Sequence, residues 1–356
     1  MSTVPTLTGI TSQMVPTERL NIHILTSGPD DGTPVVFFHG NASSATFWEE
    51  IMLKLPEGYR GIAPDLRGYG DTEDKLIDAT RGLFDWVDDY LALKETLGIK
   101  KYHVVGHSLG GMLLFSVIAA DSGNILSATV VDPGSPYGFG GTKDLEGTPC
   151  YADFAGSGGG VVNPDFPKLI AAGDRTADNT QASPRVVMNS FYWKPPFIPE
   201  REEDLLSSLL TEKIGEDKYP GDMVPSENWP NVAPGKWGPI NASSPKYVGD
   251  SVARFIAADS KPPILWVRGD SDQIVGDNSL FDMGTLGTLE LVPGWPGAEV
   301  YPPQPMVGQT RAVLEKYQAQ GGDFREVVIS DTGHCPYIEK PDDFMAEFGP
   351  FVEKNT

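Results

Sequence analysis

The chain has 356 residues, of which 40% are hydrophobic and 10% aromatic, enough to bury a full core in one large domain or two smaller ones. Its 27 Lys and Arg face 49 Asp and Glu, and the formal net charge of -22 argues against a nucleic-acid partner, since phosphate backbones are bound by clustered cations. The opening MSTVPTLTGITSQMVPTERL has no basic stretch followed by an apolar run, and the longest apolar run, around GMLLFSVIAA, is about half of a bilayer span, so the expectation is a cytoplasmic protein with no membrane partner.

Through about residue 135 the chain alternates short β-rich runs with amphipathic segments, the pattern of parallel strands joined by crossover helices. The candidate strands are LNIHIL (20–25), PVVFFH (34–39), GIAPD (61–65), YHVVGH (102–107) and SATVVD (127–132). Several are apolar throughout, as expected where helices cover both faces of a sheet. Helices are predicted near 45–55, 84–97 and 109–121; in the second, Trp86, Tyr90, Leu91 and Leu97 share one side. From 137 to 260 the texture changes to Gly- and Pro-rich pieces, an aromatic cluster (Phe191, Tyr192, Trp193, Phe197) and a predicted acidic helix, EREEDLLSSLLTEKIG. A strand signal returns as PILWVRGD (263–270), then a helix near 306–319, a strand REVVIS (325–330) and a last helix near 341–354. The fold class is therefore α/β, a mostly parallel doubly wound sheet built from residues 1–136 and 261–356, with a mainly helical insertion over 137–260.

The stretch VVGHSLGGML (104–113) joins a buried strand to a helix through a turn too tight for most side chains. In a G-x-S-x-G turn, here Gly106-His107-Ser108-Leu109-Gly110, strain lifts the serine hydroxyl above the carboxyl end of the sheet. The helix that follows aims its free amides and positive dipole end at any oxyanion that forms there. Ser108 is accordingly the candidate nucleophile. Two cysteines, Cys150 and Cys335, are too few for a disulfide framework and lack zinc-site spacing, so both are read as free thiols, with no metal and no cofactor expected.

On these residues the chain resembles the α/β-hydrolase family over nearly all of its length outside the insertion. FFHGNASSATFW, with His39-Gly40-Asn41, resembles the family's HG loop, and the resemblance implies an oxyanion hole made by the N–H groups of Asn41 and Leu109. APDLRGYGDT resembles the D-x-R-G-x-G turn, where Asp65 and Arg67 are expected to hold the loop's shape; Asp71 stands where the family often has serine. The insertion falls after the family's sixth strand, where its members carry a cap over the nucleophile.

A serine needs an imidazole to take its proton and a carboxylate to fix that imidazole. Of the five histidines, His23 and His103 lie in predicted strands, His39 belongs to the oxyanion loop, and His107 precedes the serine on a strand, so its side chain starts toward the opposite face. His334, in ISDTGHCPYIEKP, matches the family's position for the base. Asp272, in WVRGDSDQIV, matches the usual place of the acid; Asp132, in VVDPGS, matches a second place that some members use, and Asp270 is a neighbour that would cap the strand end. Epoxide hydrolases and haloalkane dehalogenases of this fold attack with an aspartate where this chain has Ser108.

The expected function is hydrolysis of a medium-sized, largely apolar or aromatic carboxylic ester or lactone through an acyl-enzyme. The alternatives are a small-molecule receptor of the same fold with slow hydrolysis, a carbon-carbon bond hydrolase and a thioesterase. His107, Trp193, Phe197 and Trp237 are the candidate substrate contacts, with Trp229 in the same aromatic set. GSGGG (156–160) reads as a mobile or tightly turning loop, and the irregular stretch 291–306 as another pocket wall.

Overall fold

The computed structural model describes residues 3–356; Met1 and Ser2, the first residues of the amino-terminal stretch read for a leader, lie outside the described residues. Ten strands occur in chain order: β1 (Thr11–Pro16), β2 (Asn21–Ser27), β3 (Thr33–Phe38), β4 (Tyr59–Pro64), β5 (Tyr102–His107), β6 (Ile125–Val131), β7 (Met223–Pro225), β8 (Val232–Pro234), β9 (Ile264–Gly269) and β10 (Phe324–Ile329). Eight of them form one sheet in the order β1-β2-β4-β3-β5-β6-β9-β10, while β7 and β8 pair as a separate hairpin. β2 runs antiparallel to β1 and β4, and every other pairing of the large sheet is parallel.

The central strands alternate across two apolar layers. Val35, Phe37, Val105, Leu265 and Val267 enter one layer, and Val36, Phe38, Val104, Ile264 and Trp266 enter the other. On the first face lie the helices Glu49–Leu53 and Pro341–Lys354; on the second lie Phe84–Thr96, Leu109–Asp121 and Met306–Ala319. These helices stand where periodicity placed them, except that the segment 45–55 divides into a 3-10 turn, Ala45–Trp48, and the short helix Glu49–Leu53. β1 escaped the sequence reading because it is an edge strand whose only buried residue is Val15, which leaves no alternation to detect.

Between 137 and 260 the longest helix is Glu202–Leu209; the remainder is short helical turns, the β7–β8 hairpin and irregular chain. The acidic helix predicted over 200–215 thus stops early. Past Leu209 the backbone tightens, with Thr211 N–H on Ser208 O and Glu212 N–H on Leu209 O, and Lys213 N–H then leaves to bond Gly68 O at 3.0 Å. The glycines at 156–160 form a packed turn: a Cβ at Gly158 would lie 2.5 Å from Asn241 Oδ1, the atom that accepts from Gly159 N–H at 2.8 Å. Tyr301, in the irregular stretch 291–306, is fully buried and donates to Gly156 O at 2.8 Å, so that stretch packs on this turn. The helix Ser251–Ile256, at the end of the inserted range, packs on Leu109–Asp121 with Phe255 5.0 Å from Phe115, against the second face of the sheet. No helix among the described residues is long and apolar enough to cross a membrane.

Candidate active site

β5 delivers the chain to Ser108 at φ 54° and ψ −115°, a conformation that residues with a Cβ rarely adopt. Hydrogen bonds hold it there: Ser108 N–H donates to Val131 O at 2.9 Å, and Ser108 O accepts from Met112 N–H at 2.9 Å and from Gly134 N–H at 3.1 Å. A Cβ at Gly106 would lie 2.3 Å from Gly110 O, and one at Gly110 would lie 2.5 Å from Phe38 O; backbone occupies the space a side chain would need. The serine therefore stands at the N-terminus of the helix Leu109–Asp121, whose first amides have no partner within the helix.

β9 and β10 deliver the other two groups. Asp272 follows β9, His334 follows β10, and His334 Nδ1 lies 2.7 Å from Asp272 Oδ2. The second oxygen of Asp272 accepts from Ile274 N–H at 2.7 Å and Val275 N–H at 3.1 Å, which fixes the carboxylate in the loop. A carboxylate on Nδ1 keeps a proton on that nitrogen and leaves the Nε2 lone pair as the basic site. The His334 ring packs 4.6 Å from the ring of His107, the residue before Ser108, and His334 O accepts from His107 Nε2–H at 2.7 Å. His334 and Asp272 are in direct contact, and the His334 ring is set against the chain neighbour of the serine.

Residues 35–348 match the model of the alpha/beta hydrolase family, and the strand-turn-helix around Ser108 lies within that stretch. The chain belongs to the alpha/beta hydrolase family. It is 36% identical over 100 residues to epoxide hydrolase 2 of Siraitia grosvenorii, a stretch covering 28% of this chain and 31% of that protein. It is 26% identical over 170 residues to an uncharacterised carboxylesterase of Bacillus subtilis, covering 45% of this chain and 56% of that one, so neither relative is matched over two thirds of its length. A thermophilic esterase from Thermogutta terrifontis, solved with malate bound, has a similar fold, with a TM-score of 0.56 and 17% identity over 97% of this chain and 99% of that chain.

In this α/β hydrolase the loop after β3 lies against the serine: a Cβ at Gly40 would be 2.9 Å from His107 Nδ1 and 3.1 Å from Ser108 Cβ. Neither the Asn41 nor the Leu109 amide donates to a protein acceptor among the described residues, so both stay available to a ligand oxygen. The loop is held from several sides. His39 donates from Nδ1 to Gly40 O at 2.7 Å and accepts at Nε2 from Leu66 N–H at 3.0 Å; burial pushes this imidazole below its ordinary pKa, which suits the neutral form those two bonds require. Tyr69 donates to Asn41 Oδ1 at 2.9 Å, and Tyr192, from the inserted segment, donates to Ala42 O at 2.9 Å. Ala42 itself is held at φ 46°.

Asp65 and Arg67 do shape the D-x-R-G-x-G turn. Asp65 takes His23 Nδ1 at 2.7 Å and the amides of Ala45 and Asp71 at 2.8 Å each, and Arg67 forms a two-pronged pair with Asp89 at 2.7 Å on both prongs. His103 bonds Ser127 Oγ at 2.8 Å, far from the serine's side of the sheet. Two clusters, His23/Asp65/Asp71 and Asp132/Asp272/His334, bring donor atoms within 4.8 Å of one another, but in each the imidazole already spends its nitrogen on a carboxylate.

Among the aspartates, Asp270 caps the strand end, accepting from Asp331 N–H at 2.9 Å and Ser271 Oγ at 2.8 Å. Asp132 lies beside Asp272, with a carboxyl oxygen within 4.8 Å of both the Asp272 carboxylate and a His334 ring nitrogen, and accepts from Gly269 N–H at 3.1 Å. Burial, then the facing Asp272 carboxylate, pushes Asp132 well above the ordinary carboxylate range. A carboxyl so placed keeps its proton and has a hydrogen to share with Asp272.

His107 is 3% exposed and uses Nε2 to hold His334 O, so the contact it makes supports the loop that carries His334. Burial drives it well below its ordinary pKa, which keeps it neutral. Trp193 is also buried, its backbone against Gly333, the residue before His334, and Phe197 packs edge-on to it at 6.3 Å. Trp237 is half-buried with its N–H on Asp222 Oδ1, and Trp229 stacks edge-on to Tyr301 at 5.0 Å. Cys335 is fully buried beside His107, and Cys150 is half-buried; both are free thiols. The sequence reading passed over Tyr69, Tyr192, Tyr219, Glu212 and Glu339. Glu339 accepts from Gly333 N–H at 2.6 Å and Lys194 N–H at 2.8 Å, tying the base's loop to the inserted segment. Tyr192 lies in the aromatic cluster at 191–197, Tyr69 in the D-x-R-G-x-G turn, Glu212 in the predicted acidic helix and Glu339 in the stretch that carries His334, but nothing local in these stretches marks a role for them, and Tyr219 lies in none of them.

Proposed function

We propose that the chain is a serine hydrolase that cleaves a carboxylic ester or lactone of a medium-sized, largely apolar or aromatic small molecule through an acyl-enzyme. The observation that carries this reading is the pairing of His334 Nδ1 with Asp272 Oδ2 at 2.7 Å, with the His334 ring 4.6 Å from that of His107, the residue before a serine held at φ 54° on a helix N-terminus. In this reading His334 Nε2 takes the Ser108 proton as Oγ attacks the acyl carbon, and the N–H groups of Asn41 and Leu109 receive the oxyanion. The imidazolium, stabilised by Asp272, returns the proton to the leaving alkoxide, and water repeats the cycle on the acyl-enzyme. The two relatives described above are a carboxylesterase and an epoxide hydrolase, and the residue at the nucleophile position discriminates between these readings. A serine supports acyl transfer, whereas the carboxylate that opens an epoxide is missing from this position.

In this reading the segment 137–260, apart from its last helix Ser251–Ile256 on the sheet, serves as the cap over Ser108, and the packed aromatic side chains Trp193 and Phe197 give it an apolar character suited to aromatic substrates. A screen of p-nitrophenyl esters, phenyl esters and aromatic lactones tests the reading. Steady turnover that prefers aromatic or cyclic substrates and vanishes in Ser108→Ala supports it; a single slow turnover would favour a receptor, and unchanged turnover in Ser108→Ala would remove the mechanism.

A further inference from the structure

Where the inserted segment meets the loop after β4, a carboxyl group is sealed without a partner. Glu212 is 6% exposed, and neither of its carboxyl oxygens has a hydrogen-bond partner. Its chain neighbours are firmly tied: Lys213 N–H bonds Gly68 O at 3.0 Å, Lys213 Nζ bonds Gly70 O at 2.8 Å, and Lys213 O accepts from Tyr219 N–H at 3.0 Å. These bonds bracket Tyr69 on one side and Tyr219 on the other. Tyr69, Tyr192 and Tyr219 are the titratable groups close enough to feel the charge of the carboxyl, and all three also reach the loop after β3: Tyr69 and Tyr219 at the Asn41 side chain, Tyr192 at Ala42 O. The nearby cation, Lys213 Nζ, is turned away onto Gly70 O.

A buried carboxyl group that no protein donor reaches is costly to the fold unless another group completes it. Burial alone raises Glu212 well above the ordinary carboxylate range, so the group is neutral without a cation beside it. Phenol rings around a carboxyl favour a cation, through their ring faces and through the charge the carboxyl regains when it gives up its proton. We infer that Glu212, with Tyr69, Tyr192 and Tyr219, forms a subsite for an ammonium group carried by the substrate, next to the oxyanion loop. This deepens the esterase reading and rests on it. On binding, the Glu212 proton leaves to solvent and the carboxylate pairs with the ammonium, so charge balances without a further reactant.

Calorimetric titration of benzylamine into the Ser108→Ala chain near neutral pH, repeated in two buffers of different ionisation heat, reads affinity and proton release together. The expected result is binding with release of about one proton per site. Glu212→Gln in the same background should lower the affinity at least about tenfold and abolish the proton release, and benzyl alcohol should bind at least about tenfold more weakly than benzylamine. Absence of benzylamine binding overturns the inference and leaves a carboxyl completed by water alone. Equal affinity in Glu212→Gln overturns it too, as does benzyl alcohol matching benzylamine without proton release. Should Glu212→Gln fold poorly in a thermal melt, Glu212→Asp supplies the comparison, with the shortened carboxyl expected to weaken benzylamine more than benzyl alcohol. Because the titrated chain lacks the nucleophile, this outcome is independent of whether wild-type chain hydrolyses esters.

Discussion

In the sheet, β3, β5, β6 and β9 fix their neighbours through continuous parallel ladders and two apolar layers, so no single side chain decides where Ser108 stands. In the segment 137–260 single polar side chains do that work. Asn241 alone donates to Asp222 O and Trp237 O at 2.7 Å each and accepts from Gly159 N–H at 2.8 Å, while Asp222 Oδ1 takes the amides of Lys236 and Trp237 at 2.7 Å each. Outside the segment, Gln304 plays the same part for its first turn, accepting from Gly140 N–H at 2.6 Å and donating to Gly138 O at 2.9 Å. The contrast teaches that the chemistry-bearing residues rest on redundant contacts, whereas what surrounds them rests on individual bonds. Substitutions in the first region should therefore act on the reaction, and those in the second on placement.

The largest effect is expected at the nucleophile. Ser108→Ala should reduce kcat for an aromatic ester by about 10⁶-fold with the thermal midpoint nearly unchanged, measured by initial rates and a melt on the same preparation. Next comes the acid: Asp272→Asn should lose about 10⁴-fold in kcat, because the imidazole is left with the wrong tautomer. Asp132→Asn sharpens that assignment. An amide resembles the protonated acid that Asp132 presents, so turnover should stay within about tenfold of wild type. Equal losses at both positions would mean that the two carboxyls act as one unit.

The inserted segment should respond more mildly. Tyr192→Phe removes the bond to Ala42 O at 2.9 Å and should lower kcat about tenfold with little change in KM, since the oxyanion loop loses one of its supports. A change confined to KM would instead assign Tyr192 to substrate binding. The smallest effect concerns pH. Burial is the main cause that lifts Glu339 from 4.5 to about 7. A carboxyl raised on folding binds its proton more tightly in the native state, so its contribution to stability is fully present below about 4.5 and is lost as pH rises to about 7. Glu339→Gln should flatten the decline of the urea midpoint across that window, and an unchanged slope would show that other buried carboxyls set it.

Strand and helix positions in the sheet-bearing part were legible because burial on both faces leaves long apolar runs and helical spacing in the sequence. The same holds for Ser108, whose turn requires glycine at Gly106 and Gly110 for lack of space, and so writes itself into a short motif. The choice among Asp132, Asp270 and Asp272 stayed open in the sequence because all three lie near strand ends; only the 2.7 Å contact with His334 separates them. His107 shows the limit of a local reading. Its place beside the serine suggested a substrate contact, but a bond to a carbonyl contributed from the far end of the chain gives it a supporting role.

By itself, then, the sequence determined the α/β sheet and the serine-bearing turn, since period, glycine spacing and strand-helix order are local properties. The tertiary structure alone decided which aspartate meets the imidazole, which tyrosines hold the loop after β3 and that Glu212 is buried near them. Those contacts join residues distant in the chain, and the bonds that make them depend on where folded backbones meet, for which no local pattern is required.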